Sequence, residues 1–152
     1  MGFYTSIEIS ASGLSAERLA MDVIANNLAN VDTTRTPQGG PFRRQLVVFA
    51  QKPDPTQAGG SDGFDPFRAQ GSGAQTAGVE VLGIVQDQSP DRLVFDPGNP
   101  DADARGYVHY PNINVVKEMV DMMAAARAYE ANVTAIREAR QMTTATLSLL
   151  QS

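Results

Sequence analysis

All nine prolines of this 152-residue chain lie between Pro37 and Pro111, and eleven of its thirteen glycines lie between Gly39 and Gly106. Proline removes a backbone donor and clashes with the preceding helical turn, while glycine costs helix stability through chain entropy. Both ends are therefore free to form long helices, and the middle is not. The distribution divides the chain into an N-terminal helix within residues 1–36, a Gly/Pro-rich β module over 37–111 with a loop at 53–77, and a long C-terminal helix within 112–152.

Within the first part, Ile7, Ala11, Leu14, Arg18, Met21, Ala25 and Leu28 recur in alternating steps of four and three, and only Arg18 is polar. This is a heptad stripe. Thr5 and Glu8 have the spacing of a capping box and predict the helix start, while Asn30 and Asp32 predict its stop. The last part keeps the same rhythm through Val115, Met119, Met122, Ala126, Tyr129, Val133, Ile136, Arg140, Thr143, Leu147 and Leu150. Asn114 is placed to cap it, with Glu118 and Asp121 near the positive helix end. Such a helix is about 55 Å long and its N-terminal counterpart about 40 Å. The short middle cannot cover them, and narrow stripes suit helix-on-helix contact, either with each other as an antiparallel hairpin or with neighbouring subunits. Uncovered stripes in a free monomer imply termini that order only on assembly.

In the middle, Phe42–Ala50 and Val79–Gln86 are rich in β-branched and aromatic residues and predict strands, as do the shorter Leu93–Phe95 and Tyr107–Tyr110. Pro53–Ala77 is poor in aliphatic residues and punctuated by Gly, Pro and Asp, so it reads as loop. The expected fold is mainly α, with a small β-rich middle.

Little in the composition points to chemistry. The net charge of -5 contains no basic patch, and only Arg43 and Arg44 are adjacent cations. Neither nucleic acid nor an anionic membrane surface finds the clustered Lys and Arg it needs. Without Cys there is no disulfide and no thiolate metal site. No basic residue precedes Arg18, which predicts that no cleaved secretory signal is present, and no run of 18 apolar residues predicts a membrane span. His109 is the sole imidazole, in an alternating Tyr-Val-His-Tyr run that reads as a strand surface. A small hydrolase built on it lacks the G-x-S-x-G elbow. Asp62, Asp65, Asp96, Asp101 and Asp103 miss calcium-loop spacing, and Asp96-Pro97-Gly98-Asn99-Pro100-Asp101 is turn chemistry. No catalytic residue, cofactor, metal or small-molecule substrate is expected, and the chain reads as a non-enzyme.

Asn26, Asn27 and Asn30 cluster near a helix end, where Asn competes with backbone bonds and costs stability. Two readings stand: fraying with Asn30 as a C-cap, or side-chain hydrogen bonds across a subunit interface. The run Ala25-Asn26-Asn27-Leu28-Ala29-Asn30-Val31-Asp32-Thr33 resembles the N-terminal signature of flagellar rod and hook axial proteins. Asp96–Val133 resembles those of the proximal rod in particular, and Pro41–Phe49 and Gln88–Phe95 fall where such a protein carries them. The likeness spans the chain except for Pro53–Ala77, which is longer and looser than the family pattern.

What the resemblance implies is a structural subunit of the bacterial flagellar basal-body rod. Such a subunit is exported unfolded through the flagellar type III apparatus without a cleaved signal, and polymerises through its terminal helices in the periplasm-crossing rod to transmit torque for motility. The helices then form an inner coiled-coil-like layer and the β module faces outward. Partners are like subunits, other flagellar rod proteins and basal-body components at the base of the rod. The candidate subunit-interface residues are Ile7, Leu14, Met21, Asn26, Asn27, Leu28 and Asn30 near the start of the chain. Near its end they are Val115, Met119, Met122, Tyr129, Val133, Ile136, Leu147 and Leu150. The alternatives are a sibling rod protein or a soluble coiled-coil adaptor, which keeps the heptads but gives no reason for the Asn-rich motif.

Overall fold

The structure, a computed structural model, describes residues 3–53 and 76–150. Helix α1 (Phe3–Ala29) is followed by strands β1 (Gln45–Pro53), β2 (Thr76–Gln86), β3 (Arg92–Phe95) and β4 (Tyr107–Tyr110), then by helix α2 (Val115–Leu150). The fold is mainly helical with a small β middle, as the placement of the helix breakers requires.

Helix α2 begins where its cap dictates. Asn114 Oδ1 accepts the Lys117 amide at 3.1 Å, and the Asn114 carbonyl accepts the Glu118 amide at 3.0 Å. Its 36 residues span about 54 Å. Helix α1 begins at Phe3, so Thr5 and Glu8 lie inside it and do not box its start. Phe3 and Tyr4 do not forbid helical backbone, and lengthening an existing helix is far easier than nucleating one. At the other end, the Asn30 amide reaches the carbonyls of Asn26 and Asn27, each at 3.2 Å, and its side chain donates to the Asn26 carbonyl at 2.9 Å. Asn30 thus closes α1.

The two helices lie antiparallel. Gly13 faces Asn132 and Asn27 faces Glu118, the contacts running in opposite directions and evenly along both helices. The buried side chains of this seam are Ala16, Ala20, Val23 and Asn27 from α1 and Glu118, Ala125 and Ala139 from α2. Small residues bring the axes together: a Cβ added at Gly13 would stand 2.9 Å from Asn132 Nδ2. The stripe expected to make the α1 contact, Ile7 to Leu28, lies roughly 150° around the helix from this seam, at 3.6 residues per turn. In this register α2 outlasts α1, so Met142 and Leu147 stand exposed near or beyond its end.

Strands β1 and β2 form an antiparallel ribbon from Gln45↔Gln86 to Pro53↔Thr76, with register shifts at Val48/Phe49 and Gln51/Pro53. The first strand starts later than Phe42, because the Phe42 amide is held by the Thr33 carbonyl at 3.0 Å in the turn that follows α1. The loop expected at 53–77 lies outside the described residues from 54 to 75, while Pro53, Thr76 and Ala77 belong to the strands. A second ribbon pairs β3 with β4, Arg92↔Tyr110 through Phe95↔Tyr107. The turn between them has Asn and Asp side chains holding its amides, Asn99 Oδ1 to Asp101 N at 3.0 Å and Asp103 Oδ1 to Arg105 N at 2.8 Å. Val108 and Ile113 are buried beneath this end.

Candidate assembly interface

One polar junction ties the helical pair to the β module. Asn27 and Glu118, one from each helix, are each 1% exposed. The Asn27 amide donates to the Gln45 carbonyl at 2.8 Å and to Glu118 Oε2 at 3.0 Å, while its oxygen accepts the Gln45 amide at 2.9 Å. The side chain thus serves β1 as a neighbouring strand would, exchanging both backbone bonds of one residue. Glu118 Oε1 receives Arg44 Nε and Nη2, each at 2.6 Å, and Arg44 also faces Asp121 at 3.7 Å and Asp87 at 3.9 Å. A buried carboxylate is tolerable only when paired and hydrogen-bonded, and here both conditions hold.

A second tie sits farther along α1. Ser12 Oγ donates to the Ile9 carbonyl at 2.7 Å and accepts the Val79 amide at 3.0 Å. Gly78 beside it has φ +118°, a left-handed conformation that favours glycine, and a Cβ there would collide with Ser12 Oγ. The ribbon is therefore held along α1 at both ends, at Asn27 and at Ser12.

The β module carries its own charge network. Hydrogen bonds from the side chain and backbone of Ser89 hold the Asp87 carboxyl below the usual aspartate range, with Arg44 and Lys117 acting in the same direction against some desolvation. Asp91 lies between Arg43, at 3.6 Å, and His109 Nδ1, at 3.3 Å. His109 is exposed on β4, as the alternation of its strand implied, and its partner Asp91 straps the second ribbon to the segment leading into β1. Among the described residues no group of three or more His, Cys, Asp or Glu is arranged to hold a metal ion, and no helix is long and apolar enough to cross a membrane.

The sequence-predicted interface residues fall into distinct places. Ile7, Leu14, Met21 and Leu28 are half-buried on the side of α1 turned away from the seam. Asn26 is exposed and bonds to Gln45 Oε1 at 3.1 Å, and Asn30 closes its helix. Asn27 is not on the surface: its hydrogen bonds run to Gln45 and Glu118 of its own chain. On α2, Met122, Tyr129, Val133 and Ile136 are half-buried, Val115, Met119 and Leu147 are exposed, and the Leu150 side chain lies outside the described residues. Gly13, Arg44 and Glu118 were not singled out as contacts, although Glu118, Ala125, Asn132 and Ala139 occupy successive heptad positions, a signal for one face.

Comparisons with known proteins meet this geometry at both ends. Residues 7–35 match the family model described as flagella basal body rod protein, and residues 104–149 match that of the flagellar basal body rod FlgEFG protein C-terminal region. The chain is 46% identical over 155 residues to the flagellar basal-body rod protein FlgC of Borreliella burgdorferi, covering 99% of each chain. The chain belongs to the FlgC family of flagellar basal-body rod proteins. FlgC of Escherichia coli is 40% identical over 99% of this chain and 100% of its own, and FlgC of Bacillus subtilis is 42% identical over 93% and 94%. The matched N-terminal segment contains the whole α1 seam from Gly13 to Asn27, and the matched C-terminal segment contains Glu118 and most of α2. In this FlgC-family chain, then, the regions shared with rod proteins are the ones that the Asn27–Arg44–Glu118 junction joins.

Proposed function

We propose that this chain is a structural, non-enzymatic subunit of the proximal flagellar rod, which polymerises through its terminal helices and passes torque along the periplasm-crossing rod. The observation that carries the reading is the two-sided character of α1. One side is a small-residue seam closed by α2, and the other bears the bulkier Ile7, Leu14, Met21 and Leu28, left half-buried. Larger apolar side chains kept off the interior of a chain are material for contacts with other molecules.

In this reading the partners are other rod subunits and the basal-body components beneath them, and the candidate interface is the outer stripe of α1 with the apolar side chains of α2. The Asn27 network orients the β ribbon relative to the helices that polymerise. Residues 1–36 and 112–152 form the rod-core unit and residues 37–111 the outer module.

Complementation tests it. Expressed in a flagellated bacterium lacking its own FlgC, the chain restores swimming and complete rods in isolated basal bodies; absence of rods refutes the reading. His109→Ala restores swimming equally well, whereas loss of swimming with this variant at normal abundance would favour a catalytic role.

A further inference from the structure

The two edges of the small β3–β4 ribbon are finished differently. On β4 the turn folds back over the edge: the Asp103 amide donates to the Tyr107 carbonyl at 2.8 Å, and the Tyr107 amide donates to Asp103 Oδ1 at 2.9 Å. On β3 the Asp96 amide donates inward to the Gly106 carbonyl at 2.9 Å, and bonded pairs alternate along an antiparallel ribbon. Arg92 and Val94 therefore also bond toward β4, and the backbone groups of Leu93 and Phe95 face outward. Among the described residues nothing bonds to them there.

An open edge is ordinarily blunted by charge, proline, a bulge or a covering segment. The β1–β2 ribbon follows that rule, with Asn27 bonded to Gln45, Ser12 bonded to Val79 and two register shifts. Strand β3 does not. Its four residues are all exposed, Leu93 at 56% and Phe95 at 63%, and only Arg92 is charged. The sequence around it is also complementary to itself. Reversed about Val94, Arg92-Leu93-Val94-Phe95-Asp96 sets Leu93 opposite Phe95 and Arg92 opposite Asp96. Both charged residues are exposed, and the Tyr110 ring, 5.2 Å from the Arg92 guanidinium, steadies that side chain on the face it shares with Val94.

We propose that β3 pairs antiparallel with β3 of a second copy of this chain, about a two-fold axis at Val94, so that two ribbons join into one sheet. Leu93 and Phe95 of the two copies exchange roughly four backbone hydrogen bonds. On one face Leu93 packs against the partner's Phe95, and on the other Arg92 stands across from the partner's Asp96, twice by symmetry. Opposite charges facing each other across strands stabilise the pair, and a slip in register separates them. The contact is isologous and closes at two copies. In the rod-subunit reading, whose contacts run in series, this pair is a form of the chain outside the polymer.

The chain contains no cysteine, so engineered thiols report without background. In the pair, Val94 faces its own copy at a non-hydrogen-bonded position with Cα atoms about 4.5 Å apart, within the span of a disulfide. The purified full-length Val94→Cys variant is oxidised and read on a non-reducing gel. The expected product is a covalent dimer and nothing larger, at least tenfold above that from Leu82→Cys, at a site 68% exposed on the other ribbon. Adding Leu93→Pro removes an outward donor that β4 does not use, and should abolish the dimer with the circular dichroism unchanged. Adding Arg92→Glu instead should cut the dimer severalfold, and Asp96→Lys on top of that should restore it. Equal dimer from Leu82→Cys, a ladder beyond dimer, a natively folded Leu93→Pro variant that still cross-links, or a charge swap that fails to restore the dimer would overturn the proposal. No step of this test involves the rod, so its failure leaves the rod-subunit reading standing, and failed complementation leaves the pair standing.

Discussion

The inner seam between α1 and α2 and the outer faces of the same helices are built from opposite materials. Inside stand Ala16, Ala20, Ala125 and Ala139, with Gly13 pressed to Asn132 and a buried Asn27–Glu118–Arg44 junction at one end. Outside stand Val116, Met119, Val120 and Met123, and the β ribbon likewise leaves Phe49, Leu82, Ile84 and Val85 exposed. A self-sufficient domain places its bulkier aliphatics within. Alanine offers little surface to remove from water, so the seam gains its specificity from close approach and from hydrogen bonds, and its hydrophobic gain is modest. The larger apolar side chains stand outside the seam, on the faces proposed above to meet other rod subunits.

That contrast can be broken most forcefully at the junction. Glu118→Ala leaves Arg44 and Asn27 without their shared partner and should cost about 3 kcal/mol of unfolding free energy in urea denaturation. An unchanged midpoint would show that the seam does not depend on its polar lock. Next in size is Gly13→Leu, which forces a side chain into Asn132 and should cost about 1–3 kcal/mol through overpacking, read by loss of helical circular dichroism at lower urea. Gly78→Ala combines a left-handed backbone with a clash at Ser12 and should destabilise by about 1–2 kcal/mol. Its signature is faster amide exchange at Val79 with α2 protection retained.

The outer face should respond in the reverse sense. Val120→Ser, at a site more than half exposed, should shift stability by no more than about 0.5 kcal/mol yet reduce the swimming zone of complemented cells severalfold. Normal swimming would mean that this face is not an interface. The smallest effect belongs to acid. The Asp103 carboxylate accepts the amides of Tyr107 at 2.9 Å and Arg105 at 2.8 Å, and the Tyr107 bond above all holds its pKa below the usual aspartate value. A depressed folded pKa stabilises above the unfolded value and loses that contribution as pH falls through the folded one. The β3–β4 turn should therefore loosen only below about pH 4, where ordinary aspartates take up protons, and Asp103→Asn should abolish that pH step in tyrosine fluorescence.

Much of this was readable locally. The restriction of proline to residues 37–111 marked out both helices, Asn114 marked the start of α2, and the alternation at Tyr107–Tyr110 marked a strand. The start of α1 was misplaced at Thr5, because a capping pattern cannot tell whether the preceding residues also turn helical. The α1 seam was not legible. Two heptad stripes share the helix, and the bulkier one draws attention while the smaller one is buried.

By itself, the sequence determined which segments are helical, which residues share a helix face, and that the middle breaks into short strands, because propensity, capping and periodicity act within a few residues. Only the tertiary structure decided which face of α1 meets α2, and that Asn27, Arg44 and Glu118 find one another across long stretches of chain. Periodicity states which side chains stand together on a surface; what that surface touches depends on contacts between distant segments, and these carry no local mark.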